Sequence, residues 1–246
     1  MDDIRSELKI ALYRKGAALL GFADLRDLPP DCRMNLPVGL SIAVALDPVI
    51  VAGIGEGPNA AYFDEYGRLN RLLAELGRMA AEIIADRGWK AVSVEPTREV
   101  FSSDFRTPLP HKTVATRAGL GWIGRNALLI TEPYGSAVRL MTVLTDAPFT
   151  TSPPVEVSRC GTCRLCVDKC PGRAPRGEEW SVGTDRDEIL DVYACHATAR
   201  NLSEQAGIAA TTICGICIAC CPWTKRYLRQ SLRSDRPSQG IRTLTD

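Results

Sequence analysis

The spacing of cysteines in the second half of the chain is the feature that most constrains its fold. The first run holds four cysteines, with two, two and three residues between neighbours, before a proline: Cys160, Cys163, Cys166, Cys170 and Pro171. A later, shorter run repeats the last two intervals and also ends in proline: Cys214, Cys217, Cys221 and Pro222. Runs of this kind are typical of cysteines that ligate [4Fe-4S] clusters.

The two runs are predicted to act together. In two-cluster ferredoxins the cysteine before proline ligates the other cluster, so each cluster takes three local thiolates and one remote thiolate. The first cluster is therefore assigned to Cys160, Cys163, Cys166 and Cys221. The second cluster is assigned to Cys170, Cys214, Cys217 and one further cysteine.

Two residues compete for that last position. Cys195 stands where the first cysteine of the second run belongs, with a long insertion before Cys214. Cys220 also follows Cys217 with two residues between them, but its use would break the three-residue gap that precedes each Cys-Pro. The spacing favours Cys195 and leaves Cys220 open as the alternative. The unassigned Cys32 is expected to be a small buried hydrophobic residue.

Zinc and disulfides explain the cysteines less well. A structural zinc site is satisfied by four ligands and does not require a third cysteine at the next two-residue step. Disulfide frameworks are typical of small secreted chains. This chain has 246 residues, and its N-terminus lacks the basic start and apolar stretch of a signal peptide. We therefore expect a reducing, cytoplasmic location.

Composition limits the classes of partner. With 45% hydrophobic residues the chain can bury one large or two modest cores. Apolar stretches such as 40–46 are far shorter than the roughly twenty residues of a membrane span, so no membrane association is expected. The formal charge of +1 gives no general basic surface for nucleic acid. The basic C-terminal tail, 231–246, is the exception: it is either a solvated terminus or a docking patch for RNA or an acidic redox partner.

Hydrophobic periodicity predicts an α+β protein whose N-terminal part is an α/β sandwich. Helices are predicted over 3–20, 59–87 and about 186–201, and strands over 40–46, 90–94, 127–131 and 137–144. The stretch 146–158 is rich in proline and small polar residues, as in extended linkers. The predicted domains are therefore 1–150, an α/β cofactor or substrate domain, and 155–230, a double-cluster ferredoxin-like domain, followed by the tail.

A glycine-rich segment suggests a second cofactor. Gly119, Gly121 and Gly124, with Trp122 among them, lie between a predicted helix and a predicted strand. Glycines at such a junction let backbone approach a ligand closely. A dinucleotide fingerprint is disfavoured because these glycines precede the strand instead of following one. These four residues and the nearby Lys112 are the candidate cofactor-binding residues.

The same segment carries a family resemblance. Residues 118–126, residues 143–146, both cysteine runs and Cys221-Pro222-Trp223 resemble the epoxyqueuosine reductase family, over most of the chain. The resemblance implies an N-terminal domain related to reductive dehalogenases and nitroreductases that holds a base-off cobalamin. It also implies two [4Fe-4S] clusters, an electron donor of the ferredoxin or flavodoxin type, and reduction of the epoxide of epoxyqueuosine to the alkene of queuosine in tRNA.

Departures from the family pattern concern the proton donor and the substrate. The acidic residue of the family is matched by Asp104 only about one position out of register, with Phe105 in its place. His111 and Lys112 stand where the family usually has Glu-Arg, and longer members carry a C-terminal helical-repeat region that helps grip tRNA. Asp104 and His111 are the candidate catalytic proton donors, although each could equally be a turn or loop residue.

Two other functions stay open from the sequence. The chain could be an electron-transfer or corrinoid-handling protein without substrate turnover of its own. Alternatively, the N-terminal domain could hold FMN, as related folds of flavin reductases do.

Overall fold

The computed structural model describes residues 2–95, 104–209 and 211–234. Its centre is an antiparallel sheet with strand order β1-β2-β6-β3. These strands are β1 (Leu19–Asp24), β2 (Val38–Ala45), β3 (Ala91–Val94) and β6 (Val138–Thr145). A separate two-stranded sheet joins β4 (Trp122–Ile123) to β5 (Leu129–Ile130). Of the predicted basic tail, the part from residue 235 onward lies outside the described residues.

One face of the central sheet is covered by two helices, α1 (Asp2–Lys15) and α3 (Ala60–Ala85). Asn59 caps α3 by accepting a hydrogen bond from Tyr62 N at 2.9 Å. The buried side chains of α3 recur at helical spacing: Leu69, Leu73, Leu76, Ala80 and Ile84. They pack in one core with the strand residues Leu40, Ile42 and Val44, which alternate toward this face.

The opposite face of the sheet carries α4 (His111–Arg117). Two glycines let this helix approach closely. A Cβ at Gly39 would stand 2.7 Å from Val114 Cγ1, and one at Gly21 would stand 2.6 Å from Ala118 O. The helix therefore lies almost against the backbone of β1 and β2. The N-terminal part is a three-layer sandwich, in agreement with the predicted fold class.

The second half of the chain is mostly short helices. They are α5 (Leu165–Asp168), α6 (Arg186–Ile189), α7 (Val192–Gln205), α8 (Ile216–Ala219) and α9 (Pro222–Ser234). Ile213, Ile218 and Tyr227 belong to the same core as α1 and α3. Helix α9 also packs on α2 (Pro48–Ala52), and Tyr227 Oη donates to Leu46 O at 2.8 Å. The two halves of the chain therefore share apolar packing, and the domain boundary between residues 150 and 155 stays a prediction.

The predicted helix over 3–20 is wrong beyond residue 15. Helix α1 ends at Lys15, Gly16 has φ +112°, and residues 19–24 form β1. The reason is tertiary, since this segment completes an edge of the sheet by pairing with β2. The strand over 40–46, the helix over 59–87 and the strand over 90–94 are confirmed within a few residues.

The later elements also differ in detail from those predicted. The predicted strands around the turn 132–135 are present as β5 and β6, but they belong to different sheets. The helix predicted over 186–201 is two helices, α6 and α7, because each begins with its own aspartate cap, Asp185 and Asp191. Among the residues described, no helix has the length and apolar character needed to cross a bilayer.

Candidate redox site and adjoining cleft

The two cysteine runs fold into matching local structures. In the first run, Cys163 N donates to Cys160 O at 3.3 Å around Gly161, which has φ +56°, and Cys166 is the second residue of α5. In the later run Gly215, with φ +86°, precedes α8, and Cys217 is again the second residue of the short helix. Helices α5 and α8 pack against each other. The two runs are therefore structural repeats placed side by side.

The first set of cysteines lines a cavity of about 210 Å³. Its walls are three cysteines of the first run, one of the second, and four neighbours: Cys160, Cys163, Cys166, Cys221, Asn126, Ile130, Pro222 and Trp223. The four thiols are those predicted for one [4Fe-4S] cluster, three local and one remote. Burial, and then the neighbouring cysteines, raise the pKa of the Cys166 thiol to about 12. The thiolate would therefore form only when a bound metal ion displaces the proton.

The second set of cysteines lies around α7 and α8. Cys195 is in the first turn of α7, where its N–H donates to Asp191 O at 3.1 Å. Burial, followed by the electrostatic effect of Cys170 and Cys214, raises the pKa of Cys195 to about 11. Burial and then Cys195 and Cys214 raise the pKa of Cys217 well above its ordinary value. Cys195 is thus a neighbour of the other three cysteines proposed for this cluster.

Cys220 has a different environment. After burial, its electrostatic neighbours include Cys221 and Cys163, which belong to the first set. Its sulfur contacts Cys217 O at 3.8 Å, and it does not line the 210 Å³ cavity. These surroundings support Cys195 over Cys220 as the eighth ligand, and the choice stays a prediction. Cys32 is partly buried against the core that holds α4 on the sheet, with its sulfur 3.1 Å from Pro29 O.

The chemistry of the donor sets fits iron–sulfur clusters. In the part of the chain that the structure describes, no three His, Cys, Asp or Glu side chains converge closely enough to hold a single metal ion. A [4Fe-4S] cluster is held by four cysteine thiolates placed around its body, and the exposure of the site tunes its potential. Trp122, Ile130 and Trp223 supply apolar surroundings around Cys160 and Cys221.

A cleft of about 480 Å³ adjoins the second set of cysteines. Ile218, which follows Cys217, forms part of its wall, together with Tyr62. Four cationic side chains and one histidine also line this cleft: Arg106, Lys112, Arg139, Arg186 and His111. A second cavity of about 460 Å³ continues from it. The two cavities share five residues: Arg106, Pro110, Lys112, Ala127 and Arg186.

Lys112 lies at the junction of the two cavities. Its Nζ donates to Ala127 O at 2.7 Å. Burial, and then the nearby Arg186, lower the pKa of this lysine to about 8. Among the described residues, no carboxylate forms an ion pair with Lys112. A cation held in this way at a cavity wall is suited to binding an anionic or carbonyl-rich group.

His111 is held between a threonine hydroxyl and a backbone carbonyl. Its Nδ1 lies 3.0 Å from Thr142 Oγ1 and its Nε2 lies 3.2 Å from Glu95 O. Because a carbonyl can only accept, Nε2 carries the hydrogen and Nδ1 accepts from the threonine hydroxyl. Burial lowers the pKa of His111 to about 4. The imidazole is therefore neutral at pH 7, with both nitrogens engaged.

Asp104 lies beside the cleft and does not line it, although the next two residues do. Its Oδ1 accepts from Arg106 N at 3.1 Å, and the carboxylate is about half exposed. Arg106 also pairs with Asp185 and Asp187 at 2.9 and 2.8 Å. The structure thus brings His111 and Lys112 into the cleft and leaves Asp104 at its edge. The catalytic roles of Asp104 and His111 stay predictions.

The glycine-rich segment lies against the cysteines, and none of its four candidate cofactor residues lines the 480 Å³ cleft. A Cβ at Gly121 would overlap Ile130 O, and one at Gly124 would overlap the Ile130 side chain. Gly119, with φ +73°, lies close to Pro153 O. Trp122 is fully buried, with its ring 5.0 Å from that of Trp223. Close packing against neighbouring residues explains why these positions hold glycine or tryptophan. A cofactor-binding role for them stays a prediction.

Several residues of the site escaped sequence reasoning. Arg139 donates to Asn70 Oδ1 at 2.7 Å and stacks 4.0 Å from the centre of the Tyr66 ring, which fixes it at the cleft wall. Arg186 donates to Phe105 O at 2.9 Å. Neither residue belongs to a motif, so no local signal marks them. Arg125 and Asn126 follow the third glycine directly, and that position was the available signal for them.

Comparison with known proteins gives the same architecture. No protein-family model matches the chain. A catabolic reductive dehalogenase in complex with 3-bromo-4-hydroxybenzoic acid superposes with a TM-score of 0.68 and 19% identity, over 92% of this chain and 33% of that one. An epoxyqueuosine reductase crystal structure superposes with a TM-score of 0.61 and 18% identity, over 91% and 66% of the two chains. The fold is thus that of the reductive dehalogenases and epoxyqueuosine reductases.

Sequence similarity then gives the family. The epoxyqueuosine reductase of Synechocystis sp. is 34% identical over 214 residues, which cover 83% of this chain and 67% of the relative. That of Synechococcus sp. is 34% identical over 203 residues, 80% of this chain and 57% of the relative. The chain belongs to the epoxyqueuosine reductase family. It spans about half to two thirds of the length of the curated relatives it matches.

Proposed function

We propose that this protein is a reductase in which two [4Fe-4S] clusters pass electrons to a corrinoid held in the cleft. The observation that carries the proposal is the crosswise arrangement of the cysteines. Three cysteines of the first run and Cys221 of the second line one cavity. Cys170 of the first run lies near Cys195 and Cys214. The second set adjoins the cleft through Ile218, which supports a path for electrons from clusters to cleft.

The cleft residues fit a corrinoid. Cofactor sites are concave and mostly apolar, with a few fixed polar groups. Leu46, Leu129 and Val138 supply apolar wall, while Lys112 and Arg139 supply cations for amide and phosphate oxygens. When bound, the corrinoid would supply a strongly reducing cobalt centre, and the protein would position it and exclude water. FMN is the alternative occupant, because the same cations suit its phosphate.

The proposed substrate is the epoxide of epoxyqueuosine in tRNA. A related epoxyqueuosine reductase structure contains an epoxyqueuosine-modified tRNA stem loop, and this likeness supports the proposal. Conversion of an epoxide to an alkene consumes two electrons and two protons and releases one water. Asp104 and His111 are the proposed sources or positioners of protons. Since His111 is neutral at pH 7, its proposed part is to position the proton donor, and the proposed donor is Asp104 or bound water.

The proposed surroundings of the enzyme follow from the same chemistry. Iron–sulfur clusters held by cysteine thiolates favour a reducing compartment, which supports the cytoplasm as the proposed location. A ferredoxin- or flavodoxin-type protein is the proposed electron donor. Basic residues of α9, such as Lys225 and Arg229, and the tail beyond it are the proposed contacts to tRNA.

The first experiment is anaerobic metal and corrinoid analysis of the reconstituted chain. We expect about eight iron and eight sulfide per chain, and a base-off cobalamin spectrum that is retained on gel filtration. Lys112→Met should weaken cobalamin retention, whereas Lys15→Met, which removes an exposed ion pair with Glu75, should not. A content of about four iron per chain would contradict the second cluster. A chain that does not retain cobalamin would contradict the corrinoid.

The eighth ligand is tested by two cysteine variants. Cys195→Ser should lose about half of the iron, because the second cluster would lack a thiolate. Cys220→Ser should keep about eight iron. The reverse pattern would assign the ligand role to Cys220.

A second function is favoured by the position of Asp104 outside the cleft. An electron-transfer or corrinoid-handling protein would need no proton donor at this site. Turnover of epoxyqueuosine-containing tRNA, measured by nucleoside analysis, separates the two functions. Cluster reduction and cobalamin binding without turnover would favour the second.

A further inference from the structure

Two buried polar side chains, Asn126 and Ser136, lie between the two sets of cysteines. Asn126 is 4% exposed and Ser136 is 2% exposed. The Asn126 amide nitrogen lies 3.4 Å from Ser136 Oγ and 3.4 Å from Cys217 O. Asn126 also lines the 210 Å³ cavity of the first set. One side chain therefore touches the backbone of a second-set cysteine and the cavity of the first set.

Ser136 continues this contact to the first set. Burial raises the pKa of the Cys221 thiol, and Ser136 is among the neighbours that lower it, which places the Ser136 hydroxyl beside this cysteine. The Ser136 backbone N–H donates to Thr224 Oγ1 at 3.1 Å, which ties it to the first turn of α9. Gly135, with φ +58°, allows this close approach, because a Cβ there would overlap the backbone of Thr224. Asn126 and Ser136 thus lie in contact with each other between Cys217 of the second set and Cys221 of the first.

The orientation of the Asn126 amide is determined by its own loop. Its Oδ1 accepts from Leu128 N at 3.2 Å, so the amide nitrogen must face Ser136 and Cys217. An asparagine placed only to close the loop would need the oxygen contact alone. The buried nitrogen directed at the cysteines therefore has a separate role.

We propose that Asn126 and Ser136 are positioning residues that raise the reduction potential of the first cluster and connect it to the second. This inference rests on the cluster assignment in the proposed function. A cluster gains one negative charge when it accepts an electron, and hydrogen-bond donors near its sulfurs stabilise that charge. In a buried site such donors act strongly, because water does not screen them. Electrons would then rest preferentially on the first cluster.

The test is a redox titration of the anaerobic, reconstituted full chain, followed by electron paramagnetic resonance. Ser136→Ala removes the hydroxyl beside Cys221, and Asn126→Leu keeps a side chain of similar size while removing its N–H donors without adding a charge. Each variant should lower the potential of the first cluster enough to change its one-electron equilibrium at least tenfold, about 59 mV. The Cys195→Ser variant assigns the signals, since it should retain only the first cluster.

The matched control is Ser41→Ala. Ser41 is also a fully buried serine, in β2, and its hydroxyl has no hydrogen-bond partner among the described residues. This variant should leave both potentials unchanged. The double variant of Asn126 and Ser136 should show a shift smaller than the sum of the single shifts, because the two side chains contact each other.

The outcomes are distinguishable from failure of the proposed function. Unchanged potentials in variants that keep about eight iron would overturn the inference and leave the clusters in place. If Ser136→Ala loses iron, Asn126→Leu carries the test. Loss of iron from both variants would give the pair a structural role and overturn the inference. A wild-type chain without iron would remove the proposed function itself.

Discussion

Individual side chains clamp the cysteine loops to the N-terminal part of the chain. Arg125, which is 12% exposed, donates to Gly161 O at 2.8 Å and to Gly177 O, and it pairs with Glu179 at 2.9 Å. Gly161 lies between the first two cysteines of the first run. One guanidinium therefore holds two loops around the first set.

Arg125→Ala should destabilise the chain by about 2 kcal/mol, because the carbonyl of the buried Gly177 loses a charged hydrogen-bond donor. Urea unfolding under anaerobic conditions measures this, and iron should also be released faster to a chelator. The control is Arg87→Ala, whose ion pairs with Asp3 and Glu7 are exposed and should contribute less than about 1 kcal/mol. Equal effects of the two substitutions would contradict the proposed clamp.

His111 should make folding pH-dependent below neutrality. Burial lowers its folded-state pKa to about 4, below the ordinary value of about 6.5. The unfolded chain then binds a proton between these values and the folded chain does not, so stability falls as pH falls from 6.5 to 4. The free-energy difference between wild type and His111→Gln should change by about 1 kcal/mol between pH 7 and pH 5.5. A pH-independent difference would show that His111 is not held neutral.

At the scale of elements, the β4–β5 hairpin links the glycine-rich segment to the first set of cysteines. Trp122 of β4 and Ile130 of β5 pack on Cys221, and the strands pair at Trp122 with Ile130. This packing needs the backbone at Gly121 to touch the carbonyl of Ile130. From the sequence these glycines were predicted to let backbone approach a ligand. Close approach to a ligand and close approach to a strand produce the same glycine pattern.

Gly121→Ala should therefore destabilise the chain by about 2–3 kcal/mol, through steric overlap in a packed hairpin. Gly55→Ala is the control, since a Cβ at Gly55 meets nothing within 4 Å; its effect should stay within about 0.5 kcal/mol. The urea unfolding midpoints of the two variants measure this difference in stability. A Gly121→Ala variant that keeps its stability but loses cobalamin binding would instead favour a cofactor-binding role for the glycines.

Over the whole molecule, the cysteine region and the sandwich share one core. Ile213, Ile218 and Tyr227 pack with residues of α1, α3 and the sheet, and Tyr227 is tied to Leu46. Domains joined by a linker move relative to each other unless their interface is large and hydrophobic, and shared apolar packing of this kind opposes such motion. The predicted linker itself packs on the sandwich, since Phe149 stacks 4.5 Å from Phe22 and Ser152 N donates to Phe22 O.

We therefore expect a single unfolding transition. Thermal unfolding of the anaerobic protein should give coincident midpoints for the visible absorbance of the clusters and for far-ultraviolet circular dichroism. Tyr227→Phe, which removes one buried hydrogen bond, should lower both midpoints together. A cluster signal lost well before the helical signal would contradict this and would support independent domains.

The sequence alone predicted the interlocking cysteine sets, and it was sufficient for the long helix α3 and the strand β2, because these depend on spacing and periodicity within a few turns of chain. It also carried the family resemblance. Only the tertiary structure showed that residues 19–24 are a strand, that Trp122 packs on the first set of cysteines, that His111 is buried and neutral, and that Asn126 and Ser136 bridge the sets. Burial, pKa and strand pairing depend on which distant segments pack together, and local pattern does not contain that information.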